Sequence, residues 1–169
     1  MKIFGSFYPD VKVHSAYDID YKSLYDEGYR GVIFDIDNTL VPHGAPATPE
    51  AERLFVMLKN IGLRSCLVSN NVEARVAMFN KNIQTDYVAL AFKPGRKGYE
   101  KAMEIMNTTR GNTLVVGDQL FTDIWGARRA GIRSYLTDPI DPHEEIQIRF
   151  KRHLENFLML FYRGPRQGE

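Results

Sequence analysis

Two aspartates spaced one apart, Asp35 and Asp37, stand at the end of an apolar run, Val32-Ile33-Phe34. Val, Ile and Phe favour strands, and an unbroken apolar run marks a strand covered on both faces. A buried strand does not end in two carboxylates unless something offsets their charge. Three further apolar runs end on reactive side chains: one at Ser69, one at Lys93, and one at Asp118 with Asp123 five residues on. Carboxylates without neighbouring His or Cys suit a hard, oxygen-seeking cation such as Mg²⁺. A hydroxyl and an ammonium suit an anion with several oxygens, above all phosphate. The set reads as a site for a divalent cation and a phosphoryl group.

The elements that must gather these residues alternate along the chain. Strands are expected at 31–35, 65–68, 87–92, 113–116 and 132–136, and helices at 48–62, 72–80, 97–106 and 122–130. Thr48 and Pro49 open the first of these helices as N-cap and first helical residue. Leu54, Met57, Leu58 and Ile61 recur at helical spacing as its inward face, and Gly62 closes it. Strands alternating with helices pair in parallel through crossovers. The fold class is therefore α/β, a three-layer doubly wound parallel sheet of Rossmann type. Parallel strands put their carboxyl ends on one side, where such sheets bind ligands.

The other segments carry less signal. Residues 1–30 read as an N-terminal appendage packed on the core, with Phe4, Phe7 and Tyr8 as packing residues and a short helix within 18–29. Residues 31–163 form the main domain. The last helix, 142–162, carries Ile146, Phe150, Leu154, Phe157, Leu158 and Phe161 as one apolar stripe, with Arg149, Lys151 and Arg152 among them. The tail 164–169 reads as disordered.

Composition sets outer limits. The chain has 169 residues, 44% hydrophobic and 25% charged, enough for one domain with a sizeable core. The single cysteine, Cys66, rules out an intrachain disulfide and reads as a packed thiol. A net charge of +1, without a basic face interleaved with aromatics, argues against a nucleic-acid partner. The N-terminus has no signal-peptide pattern and no run is long enough to span a membrane, so a cytoplasmic protein, soluble or peripheral to a membrane, is expected.

Together these residues resemble the haloacid dehalogenase (HAD) superfamily of phosphatases. Asp35-Ile36-Asp37-Asn38-Thr39 matches its first motif, Ser69 the second, Lys93 the third, and Gly117-Asp118-Gln119-Leu120-Phe121-Thr122-Asp123 the fourth. The wording around Asp37-Asn38-Thr39-Leu40 and Phe92-Lys93-Pro94 is similar to the YqeG-like branch of subfamily IIIA, and more loosely to phosphatidylglycerophosphate phosphatases. The resemblance implies that Asp35 attacks phosphorus and forms an aspartyl-phosphate. Asp37 would protonate the leaving oxygen and then activate water. Mg²⁺ would be held by Asp35, the backbone carbonyl of Asp37, and Asp118. Ser69, Asn70 and Lys93 would hold the substrate phosphate, and Asp123 would orient Lys93 or a water. Gln119 replaces the second acid of some members.

The stretches between motifs are filled by single helices, strands and loops, so the resemblance implies a capless enzyme. An open site admits large substrates, and the basic C-terminal helix can lie on a membrane surface. These features point to a lipid-linked phosphomonoester such as phosphatidylglycerophosphate. The alternatives are a phosphatase of soluble metabolites or nucleotides, and a catalytically silent phosphate-binding or scaffold protein. The same apolar stripe could instead pack on the sheet edge or join two copies of the chain.

Overall fold

The computed structural model describes residues 7–141, 146–160, 162 and 164, with side chains of the last helix described from His153 onward. Six strands form one sheet: β1 (Val11–Lys12), β2 (Gly31–Phe34), β3 (Arg64–Val68), β4 (Asp86–Val88), β5 (Thr113–Gly117) and β6 (Arg133–Leu136). Their order is β1-β6-β5-β2-β3-β4, and every pair is parallel. The helices are α1 (Tyr21–Asp26), α2 (Pro49–Ile61), α3 (Glu73–Asn80), α4 (Lys97–Met106), α5 (Trp125–Ala130) and α6 (Ile146–Met159).

Alternation along the central strands makes the three layers. Val32, Phe34, Leu67, Leu114 and Val116 face one way, into a cluster with Leu54, Phe55 and Leu58 of α2 and Val76 and Phe79 of α3. Ile33, Cys66, Val68 and Val115 face the other way, against Tyr99, Ala102 and Met106 of α4 and Ala127 of α5. Successive strand side chains point to opposite faces, so an unbroken apolar run is what a doubly covered strand requires. Burial pushes the Cys66 thiol up to about 12, with Asp86 adding to the effect. It is a packing residue.

The doubly wound parallel sheet expected from sequence is present. From β2 the chain builds outward to β3 and β4, then returns to lay β5 on the other side of β2. The tips of β2 and β5 therefore flank the point where the strand order reverses, the usual ligand crevice of such sheets.

Several local expectations are corrected. The strand expected at 87–92 ends at Val88, because Leu90 and Phe92 take positive φ values of 47° and 51°. Met57 of α2 faces solvent, and Phe55 is buried instead. The segment 120–124 is a π-helical turn before α5. Residues 11–12, in the stretch read as an appendage, supply edge strand β1 beside β6. Phe7 stacks near Phe121 and Trp125, and Tyr8 near Tyr162.

The stripe expected on the last helix divides. Leu158 is buried with Leu120, Ile124 and Leu136, whereas Leu154 and Phe157 are exposed. The backbone N–H of Phe121 donates to the Glu155 carboxylate at 3.3 Å, which ties α6 to the turn after β5. Phe4, residues 142–145, Phe161 and the tail beyond Gly164 lie outside the described residues, as do the side chains of Ile146, Arg149, Phe150, Lys151 and Arg152.

Candidate active site

The site begins at the tip of β2. The Asp35 N–H donates to the Val116 carbonyl at 3.0 Å, so the strand holds its register until the first carboxylate emerges beside the end of β5. Lys93 arrives from the turn after β4. Its Nζ donates to Asp35 Oδ1 at 2.6 Å and to Asp123 Oδ1 at 2.7 Å. Asp123 also accepts from the Gln119 N–H at 3.1 Å through its second oxygen. The Asp123 N–H bonds the Gln119 carbonyl at 2.9 Å and the Ile124 N–H bonds it at 3.2 Å, so the π turn fixes where Asp123 points. Gly117 is required here: a Cβ would lie 2.6 Å from Asp123 Oδ2.

Asp35, Asp118 and Asp123 come together, with ligand oxygens all within 4.8 Å of one another. Two of the three acids are bonded to the Lys93 ammonium, and the all-oxygen donor set fits a hard divalent cation. Burial pushes the Asp35 carboxyl up to about 7: Lys93 opposes the rise, while Asp123 and Asp118 add to it. Burial alone would lower Lys93, but Asp123 and Asp35 outweigh it and hold the ammonium well above its usual range.

Thr39 is quoted in the first motif without a role, and the structure places it between two acids. Its hydroxyl lies 3.2 Å from Asp35 Oδ2 and 3.1 Å from Asp118 Oδ1. A hydroxyl has one proton, so it can donate to only one of them at a time.

Asp37 has a different set of partners. Its Oδ1 accepts from the Gly44 N–H at 2.8 Å and from Arg75 Nη2 and Nε at 2.8 and 3.3 Å. Its Oδ2 accepts from the Asn71 amide at 2.8 Å. His43 stands on the same loop as Gly44, 4.0 Å from Asp37 Oδ1. Arg75 was missed in the sequence, since an arginine six residues past Ser69 looks like any helix-surface cation. Asn71 likewise carries no sequence signal of its own beyond its place two residues after Ser69.

Ser69 is buried at the end of β3, and its Oγ accepts from the Asn71 N–H at 3.1 Å. It does not cap α3, whose N-cap is Val72. Asn70 is paired with the Lys93 backbone: Lys93 N–H donates to Asn70 Oδ1 at 2.6 Å, and Asn70 Nδ2 donates to the Lys93 carbonyl at 3.1 Å. Asn70 thus locates Lys93. Asn38 takes a left-handed conformation that Asn tolerates, and its Oδ1 accepts from the Asp141 N–H.

The first motif stands at a switch-point strand tip with Lys93, from the turn after β4, bonded to its first aspartate, and the chain has known relatives. The chain is 33% identical over 154 residues to a protein of Bacillus subtilis strain 168 named "Probable phosphatase YqeG", covering 90% of each. The chain belongs to the HAD superfamily, in its YqeG-like phosphatase branch. A HAD-hydrolase-like family model matches residues 90–139, from the turn before Lys93 through β6. The phosphatidylglycerophosphate phosphatase 1 of Arabidopsis thaliana is 29% identical over 174 residues, which cover 95% of this chain and 49% of that protein. Among solved structures, an uncharacterized protein from Listeria monocytogenes serotype 4b superposes with a TM-score of 0.53 at 16% identity, covering 78% of this chain and 99% of that one. That likeness concerns the fold alone. As a member of this branch the chain is a HAD-type phosphatase.

Proposed function

We propose that this phosphatase hydrolyses phosphomonoesters through an aspartyl-phosphate on Asp35, assisted by Mg²⁺. The observation that carries the reading is Lys93, an ammonium shared between Asp35 and Asp123 beside Asp118. Asp35, the backbone carbonyl of Asp37, and Asp118 would hold the ion. When bound, it supplies positive charge against the oxygens of the transferring phosphoryl group.

The chain's own residues do the rest. An Asp35 oxygen attacks phosphorus, the bond from phosphorus to the substrate oxygen breaks, and that oxygen takes a proton from Asp37. Water then gives a proton to Asp37 as its oxygen attacks phosphorus, inorganic phosphate leaves, and the Asp35 carboxylate is restored. Lys93 has three N–H donors and uses two on carboxylates, so a third can hold a phosphoryl oxygen. Ser69, buried at the next strand tip, supplies a hydroxyl for another. Asn70 acts on the phosphate through Lys93.

We assign the substrate to lipid-linked phosphomonoesters, with phosphatidylglycerophosphate as the model compound. Support comes from the apolar rim of the site. Phe92 precedes Lys93 and is 79% exposed, and Val72 and Leu90 beside it are exposed too. The Leu90 N–H bonds the Asn71 carbonyl, which puts Leu90 next to the Asn71–Val72 turn. Leu90 and Phe92 hold left-handed backbone conformations that are costly for bulky residues, as is typical of functional loops. Leu154, Phe157 and Leu160 of the last helical segment are a second exposed apolar group. No helix of the described residues is long and apolar enough to cross a membrane, so contact with lipid would be peripheral.

Two assays test the reading. Phosphate release from an aryl phosphate should need Mg²⁺, stop with chelator, and vanish in Asp35→Asn. Flotation with vesicles of anionic phospholipid should carry the wild type and lose Phe92→Asp. A wild type that ignores vesicles and lipid micelles but turns over soluble esters would favour metabolites or nucleotides as substrate.

A further inference from the structure

Among the described residues, the polar contacts of the Arg75 guanidinium are all with Asp37. Two of its three guanidinium nitrogens bond Asp37 Oδ1, and the third, Nη1, is buried without a hydrogen-bond partner among the described residues. Both side chains of this ion pair are largely buried. A guanidinium taken out of water needs compensation, and among the described residues it comes from one carboxylate.

The donors divide unequally between the two oxygens of Asp37. Oδ1 takes three, from Gly44 N–H and the Arg75 fork, and Oδ2 takes one, from Asn71. A carboxylate oxygen has about two lone-pair positions, so Oδ1 is saturated and Oδ2 keeps one open. The donors come from three places: the loop after the first motif, the turn after β3, and helix α3. A carboxylate gripped from two sides on one oxygen has its other oxygen aimed.

We propose that Arg75 is a positioning residue: it anchors Asp37 through Oδ1 so that Oδ2 gives and takes the protons of both half-reactions. The proposal rests on the reading of Asp37 as acid and base. The planar fork matters because two bonds from one rigid group fix direction as well as distance. A lysine at this position would keep a charge but lose the fork. Asn71 completes the grip on Oδ2 and leaves its second position facing the reactants.

The test is a double-mutant cycle on the purified Mg²⁺-loaded protein, with glycerol phosphate and an aryl phosphate as probes and melting temperature recorded for each variant. Arg75→Ala should lower kcat for glycerol phosphate about 10- to 100-fold with KM within about twofold, because orientation is lost and binding is not. Arg75→Lys should recover part of the loss. In an Asp37→Asn background, Arg75→Ala should change kcat by less than about threefold, since a residue acting through Asp37 has nothing left to act on. Losses that multiply, a defect confined to KM, or an unchanged kcat in Arg75→Ala would overturn the role of Arg75 alone. An inert wild type, full turnover in Asp35→Asn, or an unchanged kcat in Asp37→Asn would instead overturn the mechanism beneath it, and the role of Arg75 with it.

Discussion

Lys93 Nζ lies 2.6 Å from Asp35 Oδ1, although the two residues stand 58 positions apart in the chain. Both side chains are nearly closed off from water, and Asp123 holds the lysine from its other side at 2.7 Å. Removing the ammonium takes the cation from two largely buried carboxylates, Asp35 and Asp123. Lys93→Met should abolish turnover and destabilise the metal-free protein by about 3–5 kcal/mol, the usual cost of breaking a buried pair. Urea denaturation in chelator near pH 8 measures the second effect.

The Asp35 carboxyl gives stability a defined pH dependence. Its folded value of about 7 lies above its ordinary 3.8, so the folded state holds the proton more tightly. Between about pH 4 and pH 7 the native protein binds more protons than the unfolded chain, and this group's contribution to stability falls as pH rises. A cation needs the ionised form, so the melting-temperature gain from Mg²⁺ should grow from pH 6 to pH 8. Thermal scans with Mg²⁺ and with chelator across that range check it, and Asp35→Asn should flatten the trend.

Gly117 leaves no room for a side chain. A Cβ would fall 2.6 Å from Asp123 Oδ2, against the residue that holds Lys93. Gly117→Ala should destabilise the fold by about 1–3 kcal/mol, the range for overpacking. It should also lower kcat far more than Gly111→Ala, where the nearest atom is 3.9 Å away. Steady-state rates of the two variants side by side measure the contrast.

Thr39→Val keeps the shape of the side chain and removes the hydroxyl between Asp35 and Asp118. A group that orients metal ligands is commonly worth about 10- to 100-fold in metal affinity. Titrating Mg²⁺ against activity should show a half-saturation point raised by that factor. An unchanged titration would mean that the two acids hold their positions unaided.

The strand tips were legible in the sequence because β2, β3 and β5 are covered on both faces, and a double cover forces an unbroken apolar run. Asp35, Ser69 and Asp118 were found as the polar residues that stop those runs, and Lys93 as the one that stops the apolar run through β4. The same logic misread 89–92, where Leu90 and Phe92 are apolar but belong to an exposed rim. It also missed β1, since two residues carry no periodicity. The last helix looked like one stripe because steps of three and four fit two adjacent faces, and only packing separates buried Leu158 from exposed Leu154 and Phe157. Arg75, Asn71 and Thr39 were illegible as site residues for a different reason. Their roles depend on which carboxylate they meet in space, and that is fixed by the parallel pairing of β2 with β3 and β5 rather than by local pattern.

Covalent capture tests the central claim most directly. Borohydride reduces an acyl phosphate to an alcohol, so a phosphorylated aspartate quenched during turnover becomes homoserine. Peptide mass analysis after such a quench should find homoserine at position 35 when a phosphomonoester is present, and aspartate there when it is absent. Ongoing phosphate release with Asp35 unmodified, or homoserine at another position, would contradict the account.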